Sequence, residues 1–356
     1  MIHRFLVSTA VAVATAVVAL AAVPVAGQAQ PAAKTKATAA DKGWTPPRTA
    51  DGHPDMQGIW SHNAATPLER PKELAGRQFL TDEEVATLKK NAAQLFGDDA
   101  GDAAFDRVFV SALTNKKYTN GDGVGNYNQF WLVDKEFDNR TSLIVDPADG
   151  RIPALTPAGQ QRRAAAAEHR RLHPYDGPQD IALGLRCITG NVPMLGAGYN
   201  NYYQIFQTPG YVAVNLEMRH DARTIPTDGR PHLPSNIRLW LGDSRGRWEG
   251  DTLVVDTTNF SDKGDGQGGG FRGASGNAHV TERFTLAGPK TLKYEVTVSD
   301  PETYEKPWTA VLYWKRTTDL IYEFACHEGN YAIANTLSGA RFKEKTAEEA
   351  AKRGSK

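Results

Sequence analysis

The sequence predicts a mainly β protein: an antiparallel up-and-down β-barrel with an α/loop-rich N-terminal part. Composition is the first observation, since 33 Gly and 20 Pro supply the turns of many short strands rather than the bodies of long helices. The second is a run of four consecutive hairpins from Tyr202 onward, each with β-branched and aromatic residues alternating about a short turn. The third is the edge problem. Eight or so strands in a row have few ways to hide their outer edges, and closure on themselves is the simplest.

Taken in order, residues 1–29 read as a secretory signal peptide: basic "MIHRF", an apolar run from Leu6 to Val23, and a small-residue tail with cleavage after Ala29. The apolar run is just long enough to span a bilayer, so an uncleaved anchor is the alternative. Residues 30–49 are Ala/Lys/Thr-rich and aperiodic, a disordered linker. Residues 50–198 form the α/loop-rich part, which contributes a first strand and a hairpin. In "FLTDEEVATLKKNAAQLFG", Thr81 and Glu84 make a capping box ahead of Val85, Leu88, Ala92 and Leu95 at helical spacing. In "LTPAGQQRRAAAAEHRRLHP", Thr156 caps, Pro157 occupies the first helical position and Pro174 ends the run. The stretch "RTSLIVDPADGRIPALT" reads as the hairpin.

The barrel is expected over 199–343. Its hairpins are "YYQIFQ" with "YVAVNLEM", "GRW" with "TLVVDTTNF", "VTERFTL" with "TLKYEVTVS", and "WTAVLYWKR" with "LIYEFAC". Residues 344–356 are a charged tail that frays. The glycine-dense 261–277 loop opens no helix and lacks the Lys-Ser/Thr of a phosphate cradle, so it is a flexible connection or a lid.

Lys+Arg and Asp+Glu both number 41, and loss of Arg4 with the signal leaves 40 − 41 = −1. With no basic excess there is no footprint for nucleic acid. No second apolar stretch approaches spanning length, so no membrane span is expected after cleavage. The chain has no G-x-S-x-G or S-x-x-K serine-nucleophile motif, and no cofactor is expected, since it has neither a His-Glu-x-x-His nor a haem-binding Cys-x-x-Cys-His. The oxygen-rich "YTNGDGVGNYNQFW" lacks the closing Glu of an EF-hand loop.

"EFACHEGNY" concentrates a thiol, an imidazole and two carboxylates. On a strand Cys326 and His327 face apart, and Glu323 and His327 stand roughly 13 Å apart, too far to share one ion. The other cysteine is Cys187, and two cysteines in an exported chain are expected to form a disulfide. Two free thiols, or a thiol acting as ligand or nucleophile, are the alternatives. His327 and Glu328 stay candidate acid–base groups, because a bridge beside them would fix their positions. "NLEMRHDARTIP" is the second polar concentration: if the strand continues, His220 ends its apolar face while Glu217, Arg219 and Asp221 share the other. His220, Asp221 and Arg223 meeting His327 and Glu328 form the candidate catalytic constellation. "DSRGRWEGDTL" reads as turn chemistry.

Gly58-Ile59-Trp60 resembles the Gly-x-Trp of lipocalins, where a strand-opening Trp plugs one barrel end, and this implies barrel shape only. "PDMQGIW", "WLGDSRGRWEGDTLVVDTTNF" and "YEFACHEGNY" resemble phrases of a large family of exported, functionally uncharacterised proteins of soil bacteria. The resemblance implies one unit over 50–343 and carries over no catalytic residue. A barrel of this size holds one small ligand, and Trp240, Trp248, Trp308, Trp314, Tyr294 and Tyr322 supply aromatic lining or core. The expected function is periplasmic or secreted binding of a small apolar or aromatic molecule. The alternatives are a cofactor-independent lyase, isomerase or hydrolase using a His/carboxylate pair, and an envelope interaction protein.

Overall fold

The structure, a computed structural model, describes residues 44–95, 113, 136–188, 192–195, 200–261 and 273–354. The signal segment, most of the linker, the oxygen-rich 118–131 loop and most of the 261–277 loop lie outside the described residues. All described residues belong to one compact unit, 34–356.

Ten strands form one sheet: β1 (Gly58–Ser61), β2 (Ile144–Asp146), β3 (Tyr202–Thr208), β4 (Tyr211–Leu216), β5 (Ala222–Pro226), β6 (Asp243–Glu249), β7 (Thr252–Thr258), β8 (His279–Gly288), β9 (Thr291–Ser299) and β10 (Trp308–Thr317). Their order is β5-β4-β3-β1-β10-β9-β8-β7-β6, every pair is antiparallel, and β2 also pairs with β10. The chain is therefore mostly β. The tight turns explain the register: Pro209-Gly210 joins β3 to β4 with Gly210 at φ 79°, and Gly250 at φ 58° begins the link from β6 to β7.

Alternation sends one face of each strand inward. On β9, Leu292, Tyr294, Val296 and Val298 are buried while the residues between them are half-buried. Tyr203 stacks on Trp314 at 4.4 Å and Tyr294 stacks on the same ring at 4.9 Å. Trp60 is buried; its indole donates to Met56 O and the Arg316 guanidinium lies 4.5 Å above the ring. The terminal strands β5 and β6 share no backbone ladder, yet their side chains meet. Arg223 donates to Ser244 Oγ at 3.0 Å, and a Cβ on Gly246 would lie 3.0 Å from Ile225 Cγ2.

Both expected helices form. Helix α1 (Asp82–Leu95) has the expected box: Thr81 N–H donates to Glu84 Oε2 and Glu84 N–H donates back to Thr81 Oγ1. Its Leu88 packs with Leu74 and Leu80 in a small second core. Helix α2 (Pro157–Leu172) is capped by Thr156, which accepts from Gly159 N–H. Of the hairpin expected at 140–156 only Ile144–Asp146 becomes a strand, since its second arm joins the rest through an isolated bridge from Leu155 to Tyr304.

Two expectations fail. The strand through "NLEMRHD" stops at Leu216, because Arg219 (φ 61°) and His220 (φ 54°) turn left-handed and break the alternation. "LIYEFAC" is not a strand: β1 and β2 already occupy the free side of β10, so no edge remains for it. The charged C-terminal residues are helical and solvated: Ala332–Gly354 is one continuous helix, α3, with no buried residue. No helix among the described residues is long and apolar enough to cross a membrane.

Candidate functional site

The expected disulfide is present: Cys187 and Cys326 are joined, with their Cα atoms 5.8 Å apart. That agrees with an oxidising compartment. His327 and Glu328 lie in an exposed turn just beyond it, and among the described residues no side-chain hydrogen bond or ion pair ties them to His220, Asp221 or Arg223. His220 is exposed, and its Nε2 accepts from Phe324 N–H at 2.8 Å. Asp221 is buried. Arg223 turns the other way, into the sheet interior.

There it makes a bidentate pair with Glu282, at 2.9 and 2.6 Å, and both side chains are almost wholly buried. Tyr294 donates its hydroxyl to Glu282 Oε1 at 2.8 Å and accepts from Met194 N–H. Ser244 and Thr257 complete the network. Burial and the adjoining Glu282 charge push the Tyr294 phenol well above its ordinary range. A buried, mutually paired network of this kind fixes structure. The five residues proposed from sequence are therefore spread over an interior pair, a surface corner and an exposed turn.

A different cluster forms where β6, β7 and β8 meet the 231–242 loop. Asp243 opens β6, Asp256 lies on β7, His279 opens β8, and His232 comes from the loop. His232 Nδ1 lies 2.8 Å from Asp243 Oδ2 and its Nε2 lies 3.4 Å from Asp256 Oδ2. His279 Nε2 bonds the other oxygen, Asp256 Oδ1. Asp243 also accepts from Leu233 N–H at 2.9 Å and Arg245 Nη1 at 2.6 Å. Surrounded by donors, it acts as an acceptor and places a proton on His232 Nδ1. Its Nε2 faces the Asp256 carboxylate.

The His279 hydrogen bond holds the Asp256 carboxyl below the ordinary carboxylate range. The Asp256 carboxylate in turn raises the His279 pKa above the ordinary imidazole value, against the desolvation that would lower it. The cluster grades outward, from Asp243 at 5% exposed to His279 at 46%. A buried acceptor thus orients His232 while the outer imidazole meets solvent. No group of three or more His, Cys, Asp and Glu among the described residues is arranged to hold a metal ion.

The loop is pinned from both sides. Asn259 Nδ2 donates to Leu233 O and Pro234 O, and the Arg238 guanidinium donates to Phe260 O, Gly276 O and Asn277 Oδ1. Gly242, at φ 70°, lets the loop enter β6 against Thr258 O, where a Cβ would come within 2.7 Å. Held this way, the loop that carries His232 leaves its Leu233, Ile237, Leu239 and Trp240 exposed. Apolar surface next to an acid and a base can seat a small apolar molecule and move a proton on it.

Sequence reasoning missed this corner. Its four groups come from four segments with no fixed spacing, and Asp243 stood in a stretch that read as a turn. Glu282 was more legible: it sits between Val280 and Phe284 on the alternating face that the apolar residues mark as inward. No protein-family model, curated protein or solved structure matches the chain.

Proposed function

We propose that the protein is an exported acid–base enzyme, a lyase, isomerase or hydrolase, acting on a small apolar or aromatic molecule seated on the 231–242 loop. His232 Nε2 takes a proton and His279, held protonated by Asp256, gives one. The observation that carries this reading is the chain Asp243–His232–Asp256–His279, in which a buried carboxylate orients one imidazole and a shared carboxylate charges the next. The sheet is read as a closed barrel, supported by the side-chain contacts between β5 and β6. The likeness to lipocalins, and to a family of exported bacterial proteins, adds weight to barrel shape and to a periplasmic or secreted location. The disulfide fits that location.

A second reading keeps the protein as a carrier with the molecule inside the barrel. It is favoured by Trp314, whose buried indole N–H has no hydrogen-bond partner among the described residues and stands in the aromatic wall of Tyr203, Tyr294 and Phe284. A polar atom of an aromatic ligand would satisfy it.

The two separate in one experiment. The purified mature chain is incubated with a panel of small aromatic and alicyclic esters, hydroxy-ketones and ketones, followed by mass spectrometry. Turnover that falls at least a hundredfold in His232→Ala and persists in His220→Ala is the expected result. Binding without turnover, unchanged by His232→Ala, gives the carrier reading. Turnover that survives both His232→Ala and His279→Ala overturns the assignment.

A further inference from the structure

From Thr318 to Gly354 the chain has no buried residue. Described large apolar side chains more than half exposed number six: Leu172, Leu185, Leu320, Tyr322, Tyr331 and Phe342. Four of them belong to this C-terminal arm. Apolar burial therefore contributes little to holding it down, and its attachments are polar or covalent. Tyr322 N–H donates to Glu217 Oε1 at 3.3 Å, Phe324 N–H to His220 Nε2 at 2.8 Å, and Asn330 Nδ2 to Leu185 O at 3.0 Å. Arg341, on α3, donates to Tyr175 O and Asp176 O. The covalent tie is Cys187–Cys326. Exposed hydrogen bonds of this kind open easily, so the disulfide is the principal restraint.

The corner beneath the arm is strained. Cys187, Asn200, Arg219 and His220 are four of the five described non-glycine residues with left-handed φ, between 51° and 61°. Glu217, which the arm covers, is buried with one carboxylate oxygen unpartnered. Covering a carboxylate and holding four residues left-handed opposes closure, and the covalent bond overrides it.

We propose that Cys187–Cys326 is a site of thiol–disulfide exchange with an external dithiol, and that its reduction releases the 318–354 arm from the 217–221 corner. A thiolate of the dithiol attacks Sγ of Cys326, the half-buried residue of the pair, Cys187 being buried. The Cys187–Cys326 bond breaks, and Cys187 leaves as a thiolate with Asn330 Nδ2 placed 3.2 Å away to donate to it. The second thiol of the reagent then displaces Cys326. The protein gains two electrons and two protons, and the dithiol ends as a disulfide. Release opens Glu217 to solvent and frees His220 Nε2 from the Phe324 N–H.

Hydrogen exchange by mass spectrometry on the oxidised mature chain, with and without dithiothreitol and without denaturant, tests this. Reduction is expected to raise exchange at least tenfold in peptides covering 320–331 and to leave β7–β9 unchanged. Cys187→Ser/Cys326→Ser should show the released pattern without reductant, and reoxidation of the native chain should restore protection. A disulfide that resists dithiothreitol in the folded chain overturns the proposal. So does a reduced chain whose 320–331 exchange is unchanged, or one whose strands lose protection together with the arm.

Discussion

Replacing Glu282 with leucine strands the Arg223 guanidinium in the sheet interior. The two bonds at 2.9 and 2.6 Å disappear, and so does the acceptor of the Tyr294 hydroxyl. The Ser244 and Thr257 hydroxyls and the field of the Asp221 carboxylate remain near a cation whose side chain is 2% exposed, but no carboxylate pairs with it directly in place of Glu282. Removing one partner of such a pair costs about 3–5 kcal/mol, because the other charge stays buried without compensation. Arg223→Met is expected to cost a similar amount by stranding Glu282. The double variant Arg223→Met/Glu282→Leu removes both charges and fills the space with apolar atoms, so it should fall within about 1–2 kcal/mol of wild type, the residue being the unsatisfied Tyr294 hydroxyl. The four proteins form a double-mutant cycle, read by urea unfolding at constant m-value. Single losses below about 1 kcal/mol, or a double variant that simply sums them, would refute the description of this pair as a sealed and mutually compensating unit.

Asp256→Asn should flatten the pH dependence contributed by its ion pair with His279. The raised His279 pKa contributes stability below about pH 6.5 that is lost as pH rises through the folded-state value. The lowered Asp256 pKa contributes stability above about pH 4 that is lost as pH falls through its folded value. Between those limits the pair contributes under about 1 kcal/mol, given its exposure, and thermal melts across pH 3–9 should lose that hump in the variant. Gly159→Ala should destabilise by about 1–3 kcal/mol, since a Cβ there would sit 2.6 Å from Thr303 O; urea titration with an unchanged midpoint would count against the close docking of α2. Gly242→Val should loosen the 231–242 loop, seen as a rise in Trp240 fluorescence mobility, while α1 and its small core keep their exchange protection.

The hairpins were legible because alternation and turn chemistry act locally: β3 with β4, β6 with β7 and β8 with β9 each need only their own residues and a tight link. "LIYEFAC" carries the same β-rich composition and fails as a strand for a non-local reason. Its natural partner, β10, is already paired along its free side by β1 and β2, which arrive from far earlier in the chain. The capping boxes were legible for the same reason as the turns, since Thr81 with Glu84 needs one helical turn only. The disulfide followed from compartment and count. The His232 corner was not legible, because four groups spread from 232 to 279 become neighbours only when the starts of β6 and β8 flank the end of β7 and a loop folds across them. Arg223 stood among the candidate site residues, but its partner Glu282 lies on β8, six places along the strand order from β5.

Histidine ring ¹⁵N spectra of the mature chain, recorded from pH 5 to 9 with and without benzyl alcohol as a small aromatic probe, test the central claim most directly. The account predicts that His279 titrates above an ordinary histidine in the wild type and falls back in Asp256→Asn, that His232 carries its proton on Nδ1, and that the probe shifts both rings while leaving His169 and His173 alone. A His279 that titrates normally in both proteins, with His232 and His279 indifferent to the probe, would contradict an acid–base site at this corner.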